Sequence, residues 1–396
     1  ATVFARMATP LYPIMDNAKL QTFFFACPIR LLWENFEKFM GEQRNPGDST
    51  DFLIPQRTPD AGGYPEQGFE DYIGLPTKVD GISHSALWHR MYRFIYDEWF
   101  RDQNLQDSLG FATDDGPETG TLGLRRRGKR HDYFTSCLPW PQKGPSVPLP
   151  LGDLAPVQGL GITTAPPGSI NYPTFRQTDG DRTNVQGWDT GALALIIEED
   201  GAAANFPAIY ASLAEASAST INELRQAFQI QKLQEKDARG GTRYTEVIRS
   251  HFRVKSPDQR LQRPEFLGGG STWINVTPVA QTVSLAGQGA VGDLAAYATA
   301  SGGGHSFTYS ATEHCLVIGL VNVTADLTYQ QGIERMYSRR TKYDFYWPSL
   351  AHIGEQAVLN KEIFADGSSE DDDVFGYQER YAEYRYKPSR ITGVFR

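Results

Sequence analysis

The residues with the types and spacing to do chemistry lie between positions 123 and 134. Gly123, then four residues, then Gly128 and Lys129, traces the outline of a phosphate-binding loop. Such a loop needs a Ser or Thr after the lysine, whose hydroxyl holds magnesium, and an apolar strand leading into it. Here the next residue is Arg130 and the lead-in is DDGPETGT, so nucleotide binding of that kind is not expected. The same stretch places Arg125, Arg126, Arg127, Lys129 and Arg130 beside His131, Tyr133 and Phe134. Cations neutralise phosphates and aromatic rings stack on unpaired bases, which makes single-stranded nucleic acid one reading. A solvated charge run, or an arginine cluster paired with carboxylates of a neighbouring subunit, is the other, and both stay open.

Elsewhere the signs of catalysis are weak. Histidines 84, 89, 131, 251, 305, 314 and 352 form no HExxH and no close ligand cluster, and no GxSxG marks an activated serine. Glu198, Glu199 and Asp200, and the run Glu370 to Asp373, read as solvated carboxylates rather than an acid/base pair. The triple glycines at 268–270 and 302–304 lack the strand-to-helix setting of a dinucleotide fingerprint and read as flexible loops. The expectation is no catalytic residue, no metal site and no cofactor. From 335 to 396, aromatic residues alternate with Lys and Arg, the composition of interface hot spots. Candidate interface residues there are Arg339, Arg340, Tyr343, Trp347, Tyr377, Tyr381, Tyr384 and Tyr386, with an aromatic core as the alternative.

The elements that must position these residues follow from pattern. Phe23, Phe24, Phe25, Ala26, Cys27 and Ile29 predict a buried strand over 22–30. Leu32, Phe36 and Phe39 opposite Glu34, Glu37 and Lys38 predict a helix over 31–40, and Leu87, Met91, Phe94, Ile95 and Trp99 predict another over 83–101. Residues 141–187, rich in Pro, Gly and Thr, read as a structureless excursion. Thr220 and Glu223 match a capping box, Ile221, Leu224, Phe228 and Leu233 are expected on one face, and Gly240 and Gly241 end the helix. CLVIGLVNV (315–323) and the aromatic run 343–347 read as buried strands. Scattered strands without βαβ alternation favour a β-sandwich carrying excursions over a doubly wound sheet.

Composition narrows the classes further. The 396 residues carry 38 basic and 47 acidic side chains, a net charge of −9, so this is not a wholly basic nucleic-acid wrapper. With 38 Gly and 24 Pro the chain is loop-rich. No run approaches the ~18 to 20 apolar residues of a membrane helix, so membrane insertion is not expected. Three cysteines, Cys27, Cys137 and Cys315, lie too far apart in sequence for a disulfide framework or paired metal spacing. The chain starts at Ala1 without Met, and native sequence is expected to continue past both ends.

Several strings resemble a known family. FACPIRLLWENFEKFMGEQ (Phe25 to Gln43), EWFRDQNLQD (Glu98 to Asp107) and KRHDYFTSCLPWPQKGP (Lys129 to Pro145) are similar to the major capsid protein of microviruses, particularly the gokushovirus branch. So are TINELRQAFQIQKLQEKDARGGTRYTEVIRSHF (Thr220 to Phe252), RLQRPEFLGGGST (Arg260 to Thr272), SRRTKYDFYWP (Ser338 to Pro348) and VFGYQERYAEYRYKPSRITGVFR (Val374 to Arg396). The resemblance runs in order along nearly the whole chain, leaving out about 150–218 and parts of 281–305 and 365–373.

The resemblance implies one eight-stranded antiparallel jelly-roll domain over 1–396 with long, partly helical insertions. It implies a structural, non-enzymatic subunit of a T=1 icosahedral shell around the circular single-stranded DNA of a bacteriophage, assembled in the bacterial cytoplasm. Implied partners are further copies of the chain, the genome, a small basic DNA-binding protein, an internal scaffolding protein, a pilot protein and a host receptor. The variable region 150–218 takes the place of a threefold protrusion. The rival from another class is a carbohydrate-binding or carbohydrate-active jelly roll, which would carry two carboxylates ~5 to 9.5 Å apart in a concave site.

Overall fold

The computed structural model describes residues 1–7, 16–148, 221–282 and 291–395, with the short segments 157–158, 160–163, 175–177, 180–182, 185–189, 194–198 and 209–211. The principal elements are β1 (Val3–Met7), β2 (Ala18–Pro28), α1 (Leu87–Ile95), α2 (Ile221–Gly240), α3 (Tyr244–Phe252), β3 (Glu265–Trp273), β4 (Asn275–Ala280), β5 (Leu294–Gly302), β6 (Cys315–Ala325), β7 (Glu355–Leu359) and β8 (Val374–Glu379). Sheet predominates and helix content is small. The chain divides into two compact units, Ala1–Lys143 with Glu235–Arg396, and Gly144–Gln234.

In the first unit the aromatic run of β2 forms the middle of an antiparallel sheet, flanked by β3 and β6. Phe25 opposes Phe266 on one side and Ile318 on the other. A strand paired on both edges and covered by side chains has no polar face to present, which is why it reads as a continuous apolar run. Leu87, Met91 and Ile95, four residues apart, bring one stripe of α1 onto this sheet, where they pack with Phe25, Leu32, Trp33, Phe36 and Ile318. A second antiparallel sheet has the order β1-β5-β4. Its Ala298 and Ala300 join Ala18, Leu20 and Ile274 in a smaller core. The hairpin of β7 and β8 carries the C-terminal region, with Val358 buried against Tyr133, Phe134 and Ala382.

The glycine run 268–270 is part of β3, not a flexible loop, and each residue is needed for space or shape. A Cβ on Gly269 would stand 2.0 Å from the Thr22 carbonyl oxygen, and one on Gly270 would stand 2.6 Å from the His305 ring. His305 occupies that space because it ties two strands together. Its Nδ1 lies 2.8 Å from Thr22 Oγ1 and its Nε2 3.1 Å from Thr272 Oγ1. A bulge between Phe266 and Gly268 turns the strand as it enters this region. In the second run Gly302 ends β5 against Thr272, while Gly303 and Gly304 have open surroundings.

Other expectations need correction. The helix over 31–40 is only a turn at Ile29–Leu31 and another at Phe36–Phe39. The link between them is held elsewhere: Trp33 Nε1 donates to Asp115 Oδ1 at 2.6 Å, and Asn35 Nδ2 donates to both oxygens of the same carboxylate. The aromatic run 343–347 is not a strand. Asp344 accepts hydrogen bonds from the Arg340 and Thr341 amides and closes a turn at Lys342–Asp344, and Trp347 Nε1 donates back to the Lys342 carbonyl at 2.7 Å. Leu233 does not share a face with Phe228, because five residues of α-helix rotate it by about 140°. Ile221, Leu224, Phe228 and Leu233 are all exposed. Helix α2 ends at Gly240, with Gly241 following in a left-handed conformation, as the sequence predicts, whereas Thr220 lies outside the described residues.

In the second unit, Leu160–Thr163, Ala194–Glu198 and Val185–Asp189 form an antiparallel sheet with Ala194–Glu198 in the centre. Phe175–Gln177 pairs with Gly180–Arg182, and Tyr210–Ala211 with Val157–Gln158. The stretch 141–187 thus contains strands and is not structureless. Glu199 and Asp200 lie outside the described residues. No helix among the described residues is long and apolar enough to cross a membrane.

Candidate functional site

The basic cluster sits on an extended loop that is fastened at its start to a buried polar network. Arg57 Nη1 and Arg90 Nε donate to the two oxygens of Glu118 at 2.8 and 2.7 Å, with both arginine side chains buried. Glu70 Oε1 accepts from the Leu122 amide at 3.0 Å and from His89 Nε2 at 2.9 Å. Burial works against the Glu70 charge, but these hydrogen bonds outweigh it and hold its pKa below the ordinary value. Burial likewise pushes His89 and His84 below 6.5. The Arg125 amide then donates to Tyr92 Oη at 2.9 Å. Gly123 and Gly128 leave open space around them, unlike glycines that let a backbone close on a phosphate.

The five cations are all exposed by residue, but they are not equivalent. Arg127 lies over the rings of Phe23 (4.9 Å) and Phe100 (5.7 Å), and it donates to Gln21 and Asn322. Arg130 Nη1 lies 3.3 Å from Asp326 Oδ1 on the surface. The Arg125, Arg126 and Lys129 side chains have no ion-pair partner among the described residues. Tyr133 and Phe134 are core residues, 3% and 4% exposed, so the rings expected to stack on bases are not available to do so. Composition alone could not separate a stacking platform from a core.

A second surface is formed by the segment after β6. Met336, Tyr337, Tyr343, Phe345, Tyr346 and Trp347 are all exposed, with Tyr384 and Tyr386. Arg339 is fixed beside them: its guanidinium stands 4.4 Å from the Tyr384 ring centre and 5.4 Å from that of Phe345, and Nη2 pairs with Glu383 at 3.4 Å. Arg340 is exposed and Tyr377 half-buried, its amide and carbonyl bridging to Leu138. Tyr381 is 5% exposed and donates to the Tyr343 carbonyl, so it supports the surface from beneath and is not part of it. Tyr346 and Tyr384 pack ring to ring at 5.9 Å, so several of these exposed side chains form a cluster of the kind that marks an interaction site.

Beside it a cleft of about 340 Å³ is lined by Glu334, Glu362 and Glu383 among arginines. Each carboxylate is already paired: Glu362 with Arg335 (3.1 Å), Glu383 with Arg339, and Glu334 with Lys387 and Arg390. The run 370–373 is likewise engaged in its own loop, with Asp371 accepting from the Asp366 and Gly367 amides. No group of three or more metal-binding side chains occurs among the described residues. His89, His251 and His305 hold neighbouring elements together, as His251 does against Asp237 at 2.7 Å.

The family model for capsid protein (F protein) matches residues 1–396. The chain belongs to the phage capsid F protein family. As an F-family capsid protein it is a structural, non-enzymatic component of a virion and associates with copies of itself. Its relatives agree. The capsid protein VP1 of Bdellovibrio phage phiMH2K is 47% identical over 99% of this chain and 75% of that protein. Those of Chlamydia phage 1 and Spiroplasma virus 4 are 41% and 37% identical over the whole of this chain and 78% and 76% of theirs. The resemblance to gokushovirus-type microviruses therefore holds, and the carbohydrate-active alternative falls.

Proposed function

We propose that this F-family protein is the subunit of a T=1 icosahedral shell, built on an eight-stranded jelly roll, that encloses a circular single-stranded DNA genome. The observation that carries the reading is the cluster of exposed aromatic side chains around Arg339, suited to burial between subunits. Arg339, Arg340, Tyr343, Trp347, Tyr384 and Tyr386 supply the rigid side chains of that contact, with Tyr381 and Tyr377 behind them. Closed symmetry multiplies one such contact over the shell, so no single interface has to be strong.

On the same reading, the loop bearing Arg125, Arg126, Arg127, Lys129 and Arg130 faces the genome, concentrating positive charge locally on a subunit of net charge −9. A small basic protein shares the neutralisation, and scaffolding and pilot proteins take part in assembly within the bacterial cytoplasm. Residues 150–218 form the outward threefold protrusion and meet the host surface. Electron microscopy of the purified protein with nuclease protection tests the whole reading. Closed icosahedral particles holding protected single-stranded DNA are expected, and a chain that stays small in its full-length form would overturn it. Deleting 150–218 is expected to spare assembly and reduce adsorption; loss of folding would remove the protrusion assignment.

A further inference from the structure

The basic loop is not a free arm. From Glu118 to Thr135 its backbone is tied down repeatedly: Glu118 between Arg57 and Arg90, the Leu122 amide on Glu70, the Arg125 amide on Tyr92, and the Arg130 carbonyl accepting from Thr135 Oγ1 at 2.8 Å. Beyond it, Asp132 accepts from the Phe134 and Thr135 amides and from Tyr329 Oη at 2.6 Å. Between Arg125 and Arg130 the fixing comes from one side chain. The Arg127 guanidinium covers Phe23 of β2 and Phe100, and it reaches the amide oxygens of Gln21 and Asn322, which face each other across β2 and β6. Both hydrogen bonds leave from Nη1, so what lysine does not reproduce is the broad, weakly hydrated guanidinium lying over two rings at once.

We propose that Arg127 is a positioning residue and not a phosphate ligand: it clamps the loop to the β2–β6 sheet face so that Arg125, Arg126 and Lys129 stand as a fixed row of unpaired cations for the phosphates of single-stranded DNA. This rests on the genome-facing role proposed above, and it divides that cluster into one anchor and a set of ligands. Burial already disfavours the charged form of Arg127, lowering its pKa, in keeping with a guanidinium committed to the protein. The three ligand cations lose no internal partner when they meet DNA. Holding them in place beforehand spares the ordering cost that a mobile basic arm would bear on binding.

The test uses the purified full chain, a dT oligonucleotide and trypsin. Each phosphate contact contributes about 0.7 to the slope of log affinity against log salt for single strands. Replacing Arg125, Arg126 and Lys129 together by Gln is expected to flatten that slope by about 2. R127Q is expected to leave the slope within error of wild type while weakening binding several-fold, and to raise the rate of tryptic cleavage between 125 and 130 at least ~10-fold by freeing the backbone. R127K keeps the charge but not the clamp, and should behave like R127Q in both assays. A slope loss in R127Q equal to that of R126Q would show that Arg127 is an ordinary ligand, and R127Q and R127K variants that are cleaved at the wild-type rate would show that its side chain does not hold the loop. If the wild type shows no salt-dependent binding, the nucleic-acid reading fails and the row of cations belongs to a neighbouring subunit's carboxylates; the trypsin comparison then decides the clamp alone.

Discussion

Arg90 Nε and Glu118 Oε1 are 2.7 Å apart inside the first unit, and the other oxygen of Glu118 is held by Arg57. One carboxylate therefore bridges two buried guanidinium groups, with Asp114 Oδ1 a further 3.7 Å from Arg90 Nη2. Arg90 also donates from Nη1 to the carbonyls of Leu32 and Asp114, so this group of charges joins α1, the turn after β2 and the approach to the basic loop.

Removing that carboxylate's charge should be severe. E118Q leaves Arg57 buried without its carboxylate and Arg90 with only the exposed Asp114 at 3.7 Å, and about 3 to 5 kcal/mol of stability is expected to be lost. Denaturant unfolding of the unassembled subunit measures it; a loss below about 1 kcal/mol would mean that water reaches the pair.

Acidification should weaken the same region from another direction. Burial holds His84 and His89 below 6.5, so the unfolded chain takes up their protons first. Their neutral-state stability is fully present above about 6.5 and is lost as pH falls below it toward the folded values, with Arg57 and Glu70 the charges facing them. The depressed Glu70 adds a further loss below 4.5, while Glu355 and Glu362, raised by burial, act above it, adding stability as pH falls through their folded values toward 4.5. Unfolding midpoints taken from pH 8 to 5.5 should fall, and an H84N/H89Q variant should be flatter over that range.

The aromatic surface makes its prediction on assembly. Y343S/W347S should leave the far-ultraviolet spectrum of the subunit unchanged and lower its unfolding midpoint only slightly, since both rings are exposed and the only hydrogen bond lost is that of Trp347 to the Lys342 carbonyl. If this is an interface, losing two anchors of about 2 kcal/mol each raises the assembly threshold on the order of several hundred-fold. Sedimentation at increasing concentration reads this directly, and wild-type assembly by the variant would place the subunit contact elsewhere.

The glycines give a paired test of packing. G269A puts a methyl group against the Thr22 carbonyl and is expected to cost 3 kcal/mol or more, about the upper end of ordinary overpacking. G303A meets nothing within 4 Å and should change stability by no more than about 0.5 kcal/mol. Thermal unfolding of both variants separates them.

What the residues disclosed depended on how local each feature was. β2 and α1 were legible because their burial follows the period of their own sequence, whereas CLVIGLVNV was legible as a strand but not as a buried one: β6 lies at the edge of its sheet, with Ile318 buried and Val317, Val321 and Val323 exposed. The run 343–347 has a strand's composition, but Asp344 and Pro348 make it a turn, and nothing in its apolar content distinguishes the two. Gly269 and Gly270 looked like a loop because their partners, Thr22 and His305, are distant in sequence. The cations at 125–130 were visible as a group, yet the separation of Arg127 from its neighbours depends on Phe23, Phe100 and Asn322, which no spacing rule brings together.

The place of β2 in its sheet also sets a clock. Its two neighbours are β3 and β6, so Phe25 waits for Phe266 and Ile318, the latter roughly 290 residues downstream. At about 5 to 20 residues per second, a ribosome takes on the order of 15 to 60 s to deliver the last of these strands. Until Phe266 is made, roughly 240 residues downstream, the triple phenylalanine of β2 has no native partner on either edge, and until Ile318 follows it has one on only one edge. The early polypeptide is thus a client for chaperones, and the yield of competent subunits is governed by synthesis as well as by the final stability of the sheet.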